Sequence, residues 1–272
     1  HCFIGMQMGK NYLYFSLEVS KADIVIGLMS LYTISCTNEP INRDDMAKLK
    51  FKDKEKFRSI YEKILELPGK IQIYDETDLE SYGQNAFNEI IRRTDKMFKD
   101  NFNSQLDNIV LDHAQLLKYD DAKTNRDPYQ VLNIYADFFR KKAARDQYGV
   151  ILLSQTSRQG YEQACKRGGA YSLTGLAESN ELERGATFVA ALFSSDSLKA
   201  SGQIQAQVLK NRFGPTMLEP RAVSVRPEYY LIGDGYGTSP QQVSSVFEED
   251  GTFSNPFGNL PTESLDDLLG GM

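Results

Sequence analysis

The chain has 272 residues, of which 41% are hydrophobic, which is enough to bury one large core and leave a tail. No apolar run approaches the roughly 18 residues that a membrane span needs, so we expect no membrane association. Three scattered cysteines and two histidines offer no zinc-ligand pattern, and so sparse a cysteine set fits a reducing cytoplasm.

The net charge of −6 is unevenly distributed along the sequence. Residues 235–272 contain six acidic residues and no Lys or Arg, whereas the preceding part carries 31 residues of each sign. The acidic balance therefore comes from the tail and does not exclude a nucleic-acid partner, because local basic loops decide that interaction.

Hydrophobic periodicity predicts strands that alternate with helices as far as residue 154. The predicted strands are residues 11–17, 70–74, 108–112 and 149–154. The predicted helices are residues 21–35, 53–67, 84–99 and 128–147, and residues 38–45 are a predicted polar break. Because wholly apolar strands are buried on both faces, the pattern predicts an α/β fold with a mostly parallel, twisted sheet flanked by helices.

The pattern changes after Gly185, where strands follow one another without long helices. Residues 187–193, 203–210 and 222–225 are predicted strands, and we expect them to form a β-rich end of the same sheet that includes a hairpin. Residues 235–272 are rich in Gly, Ser, Pro and acids, which is typical of a disordered tail. The predicted organisation is one domain at 1–234 and an acidic tail.

Three residues that could bind a nucleotide or a metal lie at or just after the ends of predicted strands: Glu18, Asp112 and Gln155. In open parallel sheets, ligands bind outside the carboxyl ends of the strands. Two acids and an amide at one edge can serve a nucleoside triphosphate. One acid holds Mg²⁺ through water, the second deprotonates the attacking water, and the amide senses the terminal phosphate. Each signal alone is weak, because an acid after a strand often only caps the next helix.

Five motifs resemble those of DnaB-type replicative DNA helicases and occur in that family's order. They are YFSLE at 14–18, IVLDHAQL at 109–116, LSQTSR at 153–158, LAES at 176–179 followed by LE at 182–183, and KNRFGP at 210–215. The resemblance covers roughly residues 9–233. The motifs at 153–158 and 210–215 are the most specific.

The resemblance implies a RecA-like P-loop NTPase core that uses ATP and Mg²⁺. In that family the glutamate at Glu18 activates water, the Walker B aspartate at Asp112 binds the metal, and the glutamine at Gln155 links the phosphate site to a DNA-facing loop. The lysine and arginine at Lys210 and Arg212 reach into the neighbouring subunit's ATP site. These two residues are two apart on a predicted strand and so share a face, although a solvated basic strand end would look the same.

The sequence also departs from the family pattern. It contains no Gly-x-x-x-x-Gly-Lys-Ser/Thr loop, so we expect residues 1–8 to be the end of the helix that follows such a loop, with the loop itself upstream. As it stands, the chain should bind ATP poorly and be inactive alone. His113 replaces a tyrosine, and a packed side chain is the simple interpretation. Ala177 replaces an arginine, and residues 185–187 also differ, which suggests a divergent relative encoded by a bacterial virus and acting in the host cytoplasm.

Two basic stretches are candidates for contact with single-stranded DNA. The first lies between Gln155 and residue 176, is rich in glycine, and is interpreted as a flexible loop. Its candidate DNA-binding residues are Arg158, Lys166, Arg167 and Gly168, since cations and glycine amides can follow a phosphate backbone. The second is residues 118–126. Tyr161 and Tyr171 either stack on bases or belong to an amphipathic surface.

The resemblance implies a homo-oligomer, as a hexameric ring on single-stranded DNA, with primase, a helicase loader or a single-strand-binding protein as further partners. The leucines at 260–269 favour either a solubilising tail or a docking peptide for such a partner. Two rival functions stay open. One is a RecA- or RadA-type recombinase ATPase, against which the motif at 210–215 argues. The other is a non-hydrolysing ring or loader subunit, which the absent phosphate-binding loop would suit.

Overall fold

The first sheet contains the strands that the sequence predicts before residue 155. The computed structural model describes residues 1–79, 83–117, 128–173 and 180–233. The sheet has the order β2-β1-β3-β4, all pairs parallel, and consists of β1 (Tyr12–Ser16), β2 (Ile71–Asp75), β3 (Asn108–Asp112) and β4 (Gly149–Leu152). The parallel sheet predicted from the apolar strands is thus confirmed.

Helices cover both faces of this sheet. They are α1 (Cys2–Gln7), α2 (Lys21–Cys36), α3 (Arg43–Lys52), α4 (Lys54–Leu65), α5 (Gln84–Phe102) and α6 (Pro128–Asp146). Alternate residues of β1 point to opposite faces. Leu13 and Phe15 pack with Phe87 of α5 and Phe139 of α6. On the other face, Tyr12 packs with side chains of α1 to α4. Burial on both faces explains why the two central strands, β1 and β3, are mostly apolar.

The second sheet is antiparallel and has its own small core. It has the order β5-β6-β7-β8 and contains β5 (Phe188–Phe193), β6 (Gln203–Asn211), β7 (Met217–Arg226) and β8 (Leu231–Gly233). The predicted hairpin is present, but the expectation that it continues the first sheet is wrong. Within the described ranges, no ladder joins β4 to β5. Short connections favour pairing between successive strands, and Phe193, Leu209 and Tyr171 bury the apolar side against α7 (Arg158–Lys166).

Tyr230, which directly precedes β8, packs against the helices α2 and α3. Its ring lies against Gly27 of α2, where an added Cβ would be 2.7 Å from a ring carbon, so only glycine allows this approach. Arg43 of α3 donates a hydrogen bond to the Tyr230 hydroxyl at 2.8 Å. The antiparallel sheet is therefore anchored on α2, the helix that begins at Lys21, shortly after Glu18 in the chain.

Two segments predicted to lack regular structure are helical. The polar break at 38–45 contains the start of α3, whose N-cap Asn42 accepts a hydrogen bond from the Asp45 amide at 2.9 Å. Residues 158–166 of the basic stretch after Gln155 form α7, capped by Ser157, so this part is helical and is not the flexible loop that the glycines suggested. Two further short helices are α8 (Asn180–Gly185) and α9 (Asp196–Ala200).

The predicted tail at 235–272 lies outside the described residues, and so does the stretch at 118–126. Among the helices described, none is both long and apolar enough to cross a bilayer.

Candidate active site

Glu18 lies in a tight turn between β1 and α2. The Ser16 hydroxyl donates a hydrogen bond to the Val19 carbonyl at 2.5 Å, which closes the turn on one side. On the other side, Ser20 caps α2 by accepting a hydrogen bond from the Asp23 amide. These two contacts hold the backbone of Glu18 at the carboxyl edge of the sheet, while its side chain stays 58% exposed.

Asp112 ends β3, beside β1. Ser16 and Asp112 are in register, and the Leu17 amide donates to the Asp112 carbonyl at 2.7 Å, which extends the ladder by one residue. The Tyr14 hydroxyl donates to Asp112 Oδ2 at 2.6 Å. Burial, followed by this hydrogen bond, raises the pKa of Tyr14, so the phenol keeps its proton and remains a donor.

His113, directly after Asp112, contacts Glu18. Its Nδ1 lies 3.1 Å from Glu18 Oε2, and only 8% of its side chain is exposed. The sequence interpretation of a packed side chain agrees with this burial. The contact with Glu18 was not anticipated.

Gln115 joins the ends of β3 and β4 and so fixes the backbone at Gln155. Its amide nitrogen donates to the Ser154 hydroxyl at 2.7 Å and to the Gln155 carbonyl at 2.8 Å. Its amide oxygen accepts from the Gln155 backbone at 3.1 Å. Glu18, Asp112 and Gln155 therefore come to one edge of the sheet, with the Gln155 side chain exposed.

The edge fits a Mg²⁺–nucleotide better than a metal held by protein alone. Within the described residues, no group of three or more His, Cys, Asp or Glu side chains could hold a metal ion. Mg²⁺ in phosphate chemistry is bound through one or two carboxylates, with phosphate oxygens and waters as its other ligands. Asp112, oriented by Tyr14 and with Glu18 nearby, provides such a donor set.

Lys210 and Arg212 share a face, as their spacing predicted, but Arg212 lies just beyond β6. Lys210 Nζ donates to the Glu183 carbonyl at 2.5 Å, and Arg212 Nη2 donates to the Arg184 carbonyl at 3.0 Å. Both cations thus lie at the C-terminal end of α8, where a helix favours positive charge. In the described part of the chain, neither contacts Glu18, Asp112 or Gln155.

The candidate DNA-binding residues surround α7. Arg158 opens the helix and pairs with Glu162 at 3.2 Å. Lys166 and Arg167 end it, and both are exposed. Gly168 follows with φ of +65°, a left-handed conformation that glycine adopts at little cost. A basic, exposed helix end of this kind can follow a phosphate backbone.

The two tyrosines of this region are engaged with the second sheet. Tyr171 is buried, which contradicts the base-stacking alternative for that residue. Tyr161 stacks on Phe193, with ring centroids 5.5 Å apart, and its hydroxyl donates to the Ser194 carbonyl. The buried Gln207 of β6 accepts from the Tyr171 amide at 2.9 Å and donates to the Leu218 carbonyl. The segment after α7 is therefore tied to the strand that carries Lys210.

Sequence reasoning missed Tyr14, His113 and Gln115 as partners of the candidate residues. All three lie within the motifs quoted above, and the two-residue period of β1 puts Tyr14 on the same face as Ser16, the partner of Asp112. The alternation of β1 therefore gives the face on which Tyr14 lies, whereas its contact with Asp112 depends on the register of β1 against β3. The motif at 176–179 lies outside the described residues.

A cavity of about 410 Å³ lies at the opposite edge of the sheet and is separate from this site. It is bordered by α1 and by the residues that precede β1 and β3: His1, Ile4, Gly5, Met8, Lys10, Tyr12, Asp107 and Asn108. Ligands of open parallel sheets bind at the carboxyl edge, so the edge that carries Glu18 and Asp112 is the candidate site.

Comparisons with known proteins bear on the family and the fold of the chain. A sequence model of the DnaB-like helicase C terminal domain matches residues 3–221. The solved structure "ATPase Domain of G40P" has a TM-score of 0.64 at 23% identity and covers 84% of this chain and 76% of that one. "The Structure Of A DnaB-Like Replicative Helicase And Its Interactions With Primase" has a TM-score of 0.65 at 23% identity and covers 84% of this chain and 51% of that one. No curated protein matches the sequence.

At 23% identity the structural likeness shows the shared RecA-like fold, whereas the family match rests on the sequence itself. That match spans most of the chain, and the chain therefore belongs to the DnaB-like helicase C-terminal domain family.

Proposed function

We propose that residues 1–234 form the motor domain of an ATP-dependent replicative DNA helicase, which translocates on single-stranded DNA as a ring and unwinds duplex at the replication fork. In this proposal, the acidic residues of the sequence 235–272 are not part of the motor. The observation that carries the proposal is the convergence of Glu18, Asp112 and Gln155 at the carboxyl edge of the parallel sheet.

In the proposed mechanism, Glu18 is the general base and Asp112 the metal ligand. When bound, Mg²⁺–ATP supplies the γ-phosphate and the charge neutralisation that phosphoryl transfer needs. Glu18 accepts a proton from the attacking water. Asp112, held by the Tyr14 hydroxyl, is the residue that would hold the Mg²⁺ ion. Gln155 senses the terminal phosphate with its exposed side chain, while Gln115 holds its backbone.

Lys210 and Arg212 complete the site of a neighbouring subunit. Their contacts with α8 carbonyls keep them together on one face of the hairpin. In a ring, ATP between subunits draws them from these carbonyls onto the phosphates, and Arg212 stabilises the charge of the transferring group. Hydrolysis loosens the interface. A monomer is therefore nearly inactive, and a homo-hexamer is the working form.

The residues proposed to bind DNA follow Gln155 in the chain. Arg158 begins α7 three residues beyond Gln155, so a shift at the phosphate sensor reaches the helix directly. Lys166, Arg167 and the Gly168 amide then hold the phosphate backbone of the single strand. Primase, a helicase loader or a single-strand-binding protein are the proposed further partners, in the cytoplasm.

The test is ATP hydrolysis by the full-length natural protein, measured with and without single-stranded DNA, for the wild type and for Glu18→Gln. We expect DNA to stimulate hydrolysis and Glu18→Gln to abolish it while DNA binding persists. DNA binding without any hydrolysis by the wild type would instead support the non-hydrolysing ring or loader subunit. A separate assay of strand exchange and unwinding distinguishes the recombinase, which would exchange strands without unwinding duplex.

A further inference from the structure

We propose that His113 is a positioning residue for Glu18, holding its carboxylate in place to accept the proton of the attacking water. The inference rests on the proposed hydrolysis of ATP at this site. Its starting observation is the 3.1 Å distance between His113 Nδ1 and Glu18 Oε2, which joins a buried ring to an exposed carboxylate.

The pairing of β1 with β3 brings these two residues close together, with His113 level with Leu17 and Glu18 one position further along. Ser16 of β1 is in register with Asp112 of β3, and the Leu17 amide continues the ladder to the Asp112 carbonyl. Glu18 and His113 are the next residues to leave the two strands. Because the ladder ends just before them, their separation is set by strand pairing and does not depend on a long loop.

The turn alone does not orient the Glu18 side chain. The Ser16 and Ser20 contacts fix the backbone on both sides. Beyond Cβ, however, a glutamate retains several rotatable bonds, and an exposed one samples many rotamers. Within the described part of the chain, His113 is the one charged or polar side chain recorded in contact with the Glu18 carboxylate.

Because His113 is buried, its ring can keep the Glu18 carboxylate in a fixed position. Its side chain is 8% exposed, so the ring has little freedom to follow a moving carboxylate. The Nδ1–H group of the ring donates one hydrogen bond to Oε2 and leaves Oε1 for water. The role is analogous to that of a group that orients a catalytic base. Misplacing such a base by about 1 Å can cost about 100-fold in rate.

The experiment compares three substitutions of His113 in the full-length protein. An asparagine carries its amide nitrogen close to the place of Nδ1, so His113→Asn keeps the donor. His113→Leu has similar bulk and no donor. His113→Gln keeps polarity and size but carries its donor further out, near the place of Nε2, and serves if the leucine variant fails to fold.

We expect kcat for ATP hydrolysis to fall by about 10- to 100-fold in His113→Leu and His113→Gln. His113→Asn should remain within a few-fold of the wild type. The KM for ATP and the equilibrium binding of a non-hydrolysable ATP analogue should stay unchanged in all three variants, because only the base is displaced.

Two results would overturn the inference while leaving the proposed function intact. One is a His113→Leu enzyme with wild-type kcat beside an inactive Glu18→Gln. The other is equal losses in the asparagine and leucine variants together with weakened analogue binding, which would show a packing role. A wild-type protein without ATP hydrolysis would overturn the proposed function and this inference with it.

Discussion

Tyr14 donates a hydrogen bond to Asp112 at 2.6 Å, across two neighbouring parallel strands. The carboxylate that ends β3 is therefore oriented by a side chain of β1, the strand that leads to Glu18. Since burial and this hydrogen bond raise the pKa of Tyr14, the phenol remains a donor throughout the physiological pH range. The proposed metal ligand and the proposed general base thus share one rigid pair of strands.

Removing the Tyr14 hydroxyl should weaken the response to Mg²⁺. Tyr14→Phe keeps the ring but leaves Asp112 without its orienting donor. We expect the Mg²⁺ concentration for half-maximal ATP hydrolysis to rise about five- to tenfold, the size of one lost hydrogen bond to a metal ligand. A magnesium titration of hydrolysis at saturating ATP measures this shift.

The matched control is Tyr74→Phe on β2, where the ring packs against Phe15. That variant should keep the wild-type magnesium dependence. Identical magnesium curves for Tyr14→Phe and the wild type would show that the Tyr14 contact does not influence the metal.

The end of α7 should contribute to the salt dependence of DNA binding. Lys166 and Arg167 are exposed, and neither forms an ion pair with a described residue. We expect either Lys166→Ala or Arg167→Ala to weaken binding to single-stranded DNA. Each should also reduce the slope of log K against log salt by about 0.7 per lost phosphate contact. Fluorescence anisotropy of a labelled oligonucleotide at several salt concentrations gives both values.

Lys63→Ala on α4, whose lysine pairs with Glu66, provides the control for net charge. It should leave the slope unchanged. Should all three variants show the same small loss, the effect would be one of overall charge and α7 would not be a specific DNA contact.

Asp146 should stabilise the domain in a pH-dependent way. Arg145 and then Lys142, whose side chain is 9% exposed, hold the pKa of Asp146 at about 2, against an ordinary value of 3.8. Because the folded pKa is lowered, this stabilisation is present above pH 3.8 and disappears as the pH falls toward 2. We expect Asp146→Asn to reduce the free energy of unfolding by about 1 kcal/mol at pH 7, because the exposure of Arg145 to solvent screens the pair.

Urea unfolding at pH 7, 5 and 3.5 tests this. The difference between the wild type and Asp146→Asn should persist from pH 7 to 5 and narrow at 3.5. Asp137→Asn, on the same helix but paired with the exposed Arg140 and Lys141, should cost little. A constant difference at every pH would attribute the loss to packing and not to the charge of Asp146.

The first sheet could be predicted from the sequence because its strands are short apolar runs with clear ends. β3 has the predicted bounds, and β1 is shorter than predicted by one residue at each end. The two helices that were not predicted from the sequence, α3 and α7, bury few large apolar side chains. In α3 only Met46 is buried, and in α7 the buried residues are Gly160 and Ala164, which are too small to give a hydrophobic period. Their caps, Asn42 and Ser157, were the available signals.

The separation of the two sheets could not be predicted, because strand partners depend on contacts between distant segments. The same limit applies to the candidate site. The rule that ligands bind at strand ends identified Glu18, Asp112 and Gln155 as neighbours. The contacts of Tyr14 and His113 depend on the register of β1 against β3, and a single sequence does not specify that register.

The central claim is that Glu18 acts within its own subunit and Arg212 acts on the neighbour. Mixing Glu18→Gln and Arg212→Ala subunits and measuring DNA-stimulated ATP hydrolysis tests it most directly. Each variant alone should be inactive. Randomly mixed rings should regain up to about a quarter of the wild-type rate, since about one interface in four then pairs an intact Glu18 with an intact Arg212. No recovery after verified subunit exchange, or wild-type hydrolysis by Arg212→Ala alone, would contradict the shared site.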